Sequence, residues 1–176
     1  MAANVLRFAL FGKEFQAGKT VSIHRLIDSL KARGAEIYIE RTFFRYITSA
    51  LGMEVEVSGV FDNYNFDVDF VISIGGDGTF LRAASMVGSK ATPIIGVNTG
   101  RLGFLADIHP DEIDHAIAEI VDGHYAVEPH AVIMVEADGE IIEGSPFALN
   151  DIAVLKRDNA AMISVRTCIN GEYLVT

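Results

Sequence analysis

Apolar residues along this chain follow two periods, and the alternation between those periods predicts the fold. Near-continuous apolar runs over 5–11 and 68–74 predict strands covered on both faces, as in a parallel sheet. Ile37 and Ile39 mark a strand over 35–40, and Ile94-Ile95-Gly96-Val97 after Pro93 predicts another over 93–97. Between these strands the period lengthens to that of a helix. Val21, Ile23, Leu26, Ile27 and Leu30 predict a helix over 21–32, stopped at Gly34. Phe43, Phe44, Tyr46 and Ile47 predict one over 42–51, and two more are expected over 79–87 and 110–121. The last has Asp111 and Glu112 at its positive end and Gly123 at its close. Residues 52–66 show no clean period and predict a variable loop.

From Tyr125 the pattern turns to strand alternation and hairpin signals. Segments 131–136 and 140–143 flank Asp138-Gly139, strands are expected over 147–156 and 162–169, and Asn170-Gly171 leads into a final strand. The expected class is α/β: a mostly parallel sheet with flanking helices over 1–122, followed by the start of an all-β domain over 123–176. The outgoing strand of the last hairpin ends at Thr176 with unpaired backbone groups. The expectation is therefore a chain that stops inside its β domain.

Composition narrows the function without naming it. Of 176 residues, 50% are hydrophobic and mean hydropathy is +0.30, enough for a sizeable core. A net charge of −10 argues against a nucleic acid or an anionic membrane surface as partner. Cys168 stands alone, so no intramolecular disulfide forms; its alternating strand predicts a small core residue. The first ten residues are too short and interrupted for a signal peptide or a membrane span, and a cytoplasmic protein is expected.

The chemistry concentrates where the strand over 68–74 runs through Gly75-Gly76-Asp77-Gly78-Thr79 into the helix beginning Phe80-Leu81-Arg82. Glycines there remove the Cβ atoms that would hold a polyphosphate off the backbone, and the free N–H groups of the helix start attract an anion. Asp77 would repel that phosphate, so its carboxylate suits a metal or a proton. A plain Asp-Gly hairpin turn would need an alternating strand afterwards, and Phe80-Leu81-Arg82-Ala83-Ala84 is not one. Gly18-Lys19-Thr20 fails as a P-loop, because that motif wants glycine where Lys13 stands. The five histidines have no metal-ligand spacing and are expected at the surface.

With Asn98-Thr99-Gly100-Arg101-Leu102-Gly103-Phe104-Leu105 and Leu149-Asn150-Asp151, the pentapeptide resembles the NAD kinase family. The pentapeptide alone is also similar to diacylglycerol- and sphingosine-type lipid kinases and to phosphofructokinases; the other two motifs separate NAD kinases from them. The likeness runs along essentially the whole chain but covers only the front part of such an enzyme. It implies a Rossmann-like, phosphofructokinase-like N-terminal domain that moves the γ-phosphoryl group of ATP to the adenosine ribose 2′-hydroxyl of NAD, giving NADP. It implies a divalent cation, magnesium, as cofactor, ATP and NAD as small-molecule partners, and a homo-oligomer at full length. The alternatives are a lipid or other small-molecule kinase sharing the pentapeptide, and a dinucleotide-binding fragment without activity.

The resemblance also assigns residues. Asp77 becomes the base for the ribose hydroxyl, with a magnesium ligand as the other option. Gly75, Gly76, Gly78 and Thr79 shape the loop and admit the nucleotide. Arg82 reaches a phosphate or is simply a solvated helix residue. Asn98 and Gly103 belong to the second motif, with Phe104 beside the adenine or packed in the core. Asn150 and Asp151 bind the ribose and nicotinamide side, or have a structural hydrogen-bonding role within the sheet. Family members usually carry Asn-Glu there, so Asp151 is one methylene short.

Overall fold

The structure, a computed structural model, describes residues 5–13, 20–62, 64–100, 103–138, 145–155 and 162–176. The chain order is β1 (Arg7–Gly12), α1 (Thr20–Ala32), β2 (Glu36–Glu40), α2 (Arg41–Arg45), β3 (Gly59–Phe61), β4 (Phe70–Gly75), α3 (Asp77–Val87), β5 (Ile94–Asn98) and α4 (Ile113–Val121). The five strands pair in parallel in the order β3-β2-β1-β4-β5. The chain steps outward from β1 to β3, then returns to place β4 against the other side of β1. The carboxyl ends of β1 and β4 therefore flank a topological switch point, the crevice where open α/β sheets bind ligands. Gly12 and Gly75 sit at those ends.

Strand alternation sends side chains to two cores. Phe8, Leu10, Ile72 and Ile74 pack with residues of α1, α2 and α4, including Ile23, Leu30, Phe43 and Ile117. Ala9, Phe11 and Val71 pack on the opposite face with Phe61, Phe66, and Ala83 and Val87 of α3. Ser73 shares the strand parity of Val71; it is fully buried, and its hydroxyl has no hydrogen-bond partner among the described residues. A buried hydroxyl without a partner is destabilising, so Ser73→Ala is expected to raise unfolding stability by about 1 kcal/mol. Urea unfolding checks this; a lower midpoint would reveal a partner for the hydroxyl.

Several expected elements change. β3 lies inside the expected loop 52–66 and pairs with Tyr38–Glu40 of β2. Three residues at a sheet edge are too few to show a period. The helix expected over 42–51 is α2 followed by a π-helical turn, Tyr46–Ala50. Beyond α4 the strands are shorter than expected: β6 (Ile133–Met134) pairs antiparallel with β7 (Phe147–Ala148), and β8 (Thr167–Ile169) with β9 (Glu172–Val175). Asn170 and Gly171 have φ of 51° and 86°, the left-handed pair of a tight hairpin turn. Gly139 of the Asp138-Gly139 turn and residues 140–143 fall outside the described residues. Two-stranded ribbons are weak without an apolar layer over them, and here Ile133, Met134, Ile169 and Tyr173 are exposed. Cys168 is exposed for the same reason, not the core residue its alternation suggested. No helix among the described residues is long and apolar enough to cross a membrane.

Candidate active site at the switch point

β4 ends at Gly75, Gly76 is the N-cap of α3, and Asp77 is the first helical residue, two positions earlier than the apolar pattern indicated. The Gly76 carbonyl accepts the Thr79 and Phe80 amides at 2.9 and 3.1 Å. This turn brings Thr79 onto Gly75, where any Cβ would lie 2.3 Å from the threonine hydroxyl, so only glycine fits. In front of Gly76 and Gly78 the space a side chain would fill is empty. The pentapeptide is thus filled by Thr79 at Gly75 and open at Gly76 and Gly78.

The second motif lies beside the first because β5 pairs with β4, with Asn98 opposite Gly75. The Thr99 amide donates to the Gly75 carbonyl at 2.7 Å. Asn98 is buried, and its side-chain carbonyl accepts the Gly100 amide at 2.9 Å, turning the chain off the strand end. Arg101 and Leu102 fall outside the described residues. The chain returns over the site: Asp77 Oδ2 accepts the Phe104 amide at 2.9 Å, and Oδ1 accepts those of Leu105 and Ala106 at 3.0 and 3.3 Å. Gly103 passes so close that a Cβ would lie 2.2 Å from Oδ1. Phe104 is fully exposed, which excludes core packing for its ring.

These amides set the chemistry of the carboxylate. The N–H groups of Phe104 and Leu105 hold the Asp77 pKa below its ordinary value against the opposing effect of desolvation, and that of Ala106 adds a weaker pull in the same direction. Asp77 is therefore an anion at neutral pH, and a weaker proton acceptor at rest than a free carboxylate. The linkage has a definite sign: a depressed native pKa contributes stability that is present above the unfolded value. The loop is expected to hold down through the ordinary carboxylate range and to loosen only as pH falls through the depressed pKa. Amide exchange of 104–106 against pH measures this, and loosening near neutral pH would contradict it.

Arg82 is neither free nor merely solvated. Its guanidinium pairs with Glu40 Oε1 at 2.9 Å and reaches the Gly12 carbonyl at 3.4 Å. Glu40 is buried at the end of β2, and its other oxygen accepts the Phe43 amide at 2.9 Å, capping α2. This pair ties α3 across the ends of β1 and β2 and places a half-exposed cation beside the switch point. Glu40 carries no local sequence signal, because its partner lies on another element.

Residues 13–125 match the family model of the ATP-NAD kinase N-terminal domain. The chain belongs to the NAD kinase family. It is 50% identical over 171 residues to the NAD kinase of Bacteroides fragilis, covering 97% of this chain and 59% of that protein. To the NAD kinase of Porphyromonas gingivalis it is 39% identical over 169 residues, 96% of this chain and 58% of the other. The chain thus spans about 59% of the length of these relatives. A yeast NADH kinase solved with NADH has a TM-score of 0.57 at 18% identity, over 68% of this chain and 37% of that one, which shows the shared fold.

The third NAD kinase motif is not brought to this site. β7 stops at Ala148, and Asn150 and Asp151 are exposed in irregular chain, not buried in the strand expected over 147–156. Neither forms a hydrogen bond or ion pair with the other two motifs among the described residues. Their segment enters at the far end of α3, where the Ser145 hydroxyl donates to the Ser85 carbonyl at 2.6 Å and the Phe147 ring packs on Gly88. Apolar Leu149 and Ile152 predict a strand around the pair, but among the described residues no buried apolar layer covers it. All five histidines are exposed, as their spacing suggested.

Proposed function

We propose that the protein carrying this chain transfers the γ-phosphoryl group of ATP to the 2′-hydroxyl of the adenosine ribose of NAD, forming NADP. The observation that carries this is the Asp77 carboxylate, held at the end of β4 by the amides of Phe104 and Leu105 in the second motif and of Ala106 just after it, beside the open positions at Gly76 and Gly78. In the transfer, a bond forms between ribose O2′ and the γ-phosphorus, and the bond from that phosphorus to the β,γ-bridging oxygen breaks. The hydroxyl proton passes to Asp77. Such reactions ask the protein for position and charge neutralisation more than for a strong base, which suits an anion with a depressed pKa. The α3 amides and Arg82 would meet phosphate oxygens, and the exposed Phe104 ring would lie against the adenine.

Magnesium is the proposed cation. Among the described residues no cluster of three or more His, Cys, Asp or Glu side chains is placed to hold a metal. The cation would arrive with the polyphosphate, as magnesium in phosphoryl transfer often does, and would screen charge on the phosphate oxygens. Asn150 and Asp151 as dinucleotide ligands, a separate β domain from residue 123, a cytoplasmic homo-oligomer and the full substrate pair rest on the family resemblance.

Formation of NADP from NAD and ATP in a coupled assay tests the proposal. Phosphorylation of a lipid alcohol with NAD untouched would replace it. Phe104→Ala should weaken NAD binding about tenfold or more, the scale of an aromatic stack on a base. It should leave the melting temperature unchanged because the ring buries nothing. Calorimetric titration and thermal unfolding read the two effects.

A further inference from the structure

The two oxygens of Asp77 have different surroundings. Oδ1 takes the amides of Leu105 and Ala106, and Ala106 is fully buried. Ala106 in turn is pressed on β5: a Cβ on Gly96 would lie 2.6 Å from the Ala106 Cα. Two residues on, the Ile108 amide donates to the Gly96 carbonyl at 3.0 Å. This side of the carboxylate is bolted to the sheet. Oδ2 takes a single amide, that of Phe104, at the exposed end of the loop. An ionised carboxylate offers about four acceptor positions. Three are filled, and the open one is on Oδ2.

We propose that Asp77 divides its work by oxygen: Oδ1 is a permanent anchor that positions the loop bearing Phe104, and Oδ2 is the oxygen that receives the ligand hydroxyl. This rests on the proposed phosphorylation of NAD and deepens it. The residue that orients the sugar also sets where the ring beside it stands. Proton transfer follows the same division: the ribose O–H bond breaks and an Oδ2–H bond forms, because two N–H donors already point at Oδ1. The Leu105 and Ala106 bonds persist through ligand binding, and the response is confined to the Phe104 amide.

Asn at this position separates the two roles. Its carbonyl satisfies the paired donors at the Oδ1 place, which turns its NH2 group toward the Phe104 amide and the ligand hydroxyl. Amide exchange and 15N shifts of residues 104–106 test the proposal in the parent chain, with and without saturating NAD, and in Asp77→Asn. Leu105 and Ala106 should stay protected in all three states, whereas Phe104 should shift with NAD and lose protection in the variant. Release of Leu105 and Ala106 by NAD, or equal loss of all three amides in a folded Asp77→Asn, would overturn it. If the variant does not fold, the NAD arm on the parent chain decides alone. Absence of any NAD-induced shift in a full-length protein that still forms NADP would overturn the ligand half alone, whereas absence of both shift and NADP would remove the function beneath it; the variant comparison decides the anchor in either case.

Discussion

Asp77→Asn is expected to lower NADP formation by about 10²-fold or more, the scale of a removed proton acceptor, with little change in melting temperature. The carboxamide keeps one acceptor oxygen for the sheet-anchored amides of Leu105 and Ala106, so the loop retains most of its support. At the other position an N–H donor replaces an acceptor and meets the ribose hydroxyl with the wrong polarity. NAD binding, which in the proposed complex would draw on phosphate and adenine contacts as well, should fall much less than turnover. Parallel measurement of kcat and of NAD affinity separates these effects. Equal losses in both would assign Asp77 a purely structural or metal-holding part.

Gly103→Ala should have the second largest effect, and through binding. The added methyl group would overlap Asp77 Oδ1 at 2.2 Å and its Cγ at 2.6 Å. Either the carboxylate or the loop must move, and overpacking of this kind costs about 1–3 kcal/mol. Displacement of the loop carries Phe104 with it, so NAD affinity is expected to drop roughly tenfold to a hundredfold, since 1.4 kcal/mol is tenfold at room temperature. Calorimetry checks the affinity, and amide exchange at Leu105 and Ala106 checks the cause. Unchanged affinity would mean that the bonds between Asp77 and the loop have no part in binding.

Both predictions join motifs that are 26 residues apart in sequence, Asp77 and Gly103, and the chain foretold only part of that union. The strand–glycine–helix junction was legible because each signal is local: an apolar run, three glycines, and a run of helix formers. The same held for β1, α1, β2 and α4, whose periods are long enough to stand out. β3 was missed because three edge residues have no period. The exposed Cys168, Asn150 and Asp151 were placed wrongly because alternation predicts a buried face only where another layer covers it.

Local chemistry in the sequence determined that this chain would place a carboxylate among glycines at the end of a buried strand and the start of a helix. It also determined the parallel α/β layering around that point, since covered strands and amphipathic helices each bury one another's apolar faces. Tertiary structure alone decided what the carboxylate touches. Strand order sets β5 beside β4, and only that neighbourhood carries the Phe104–Ala106 amides over Asp77 and Glu40 under Arg82. Hydrogen bonds across such distances follow from which strands pair, and pairing is a property of the whole sheet that no single segment encodes.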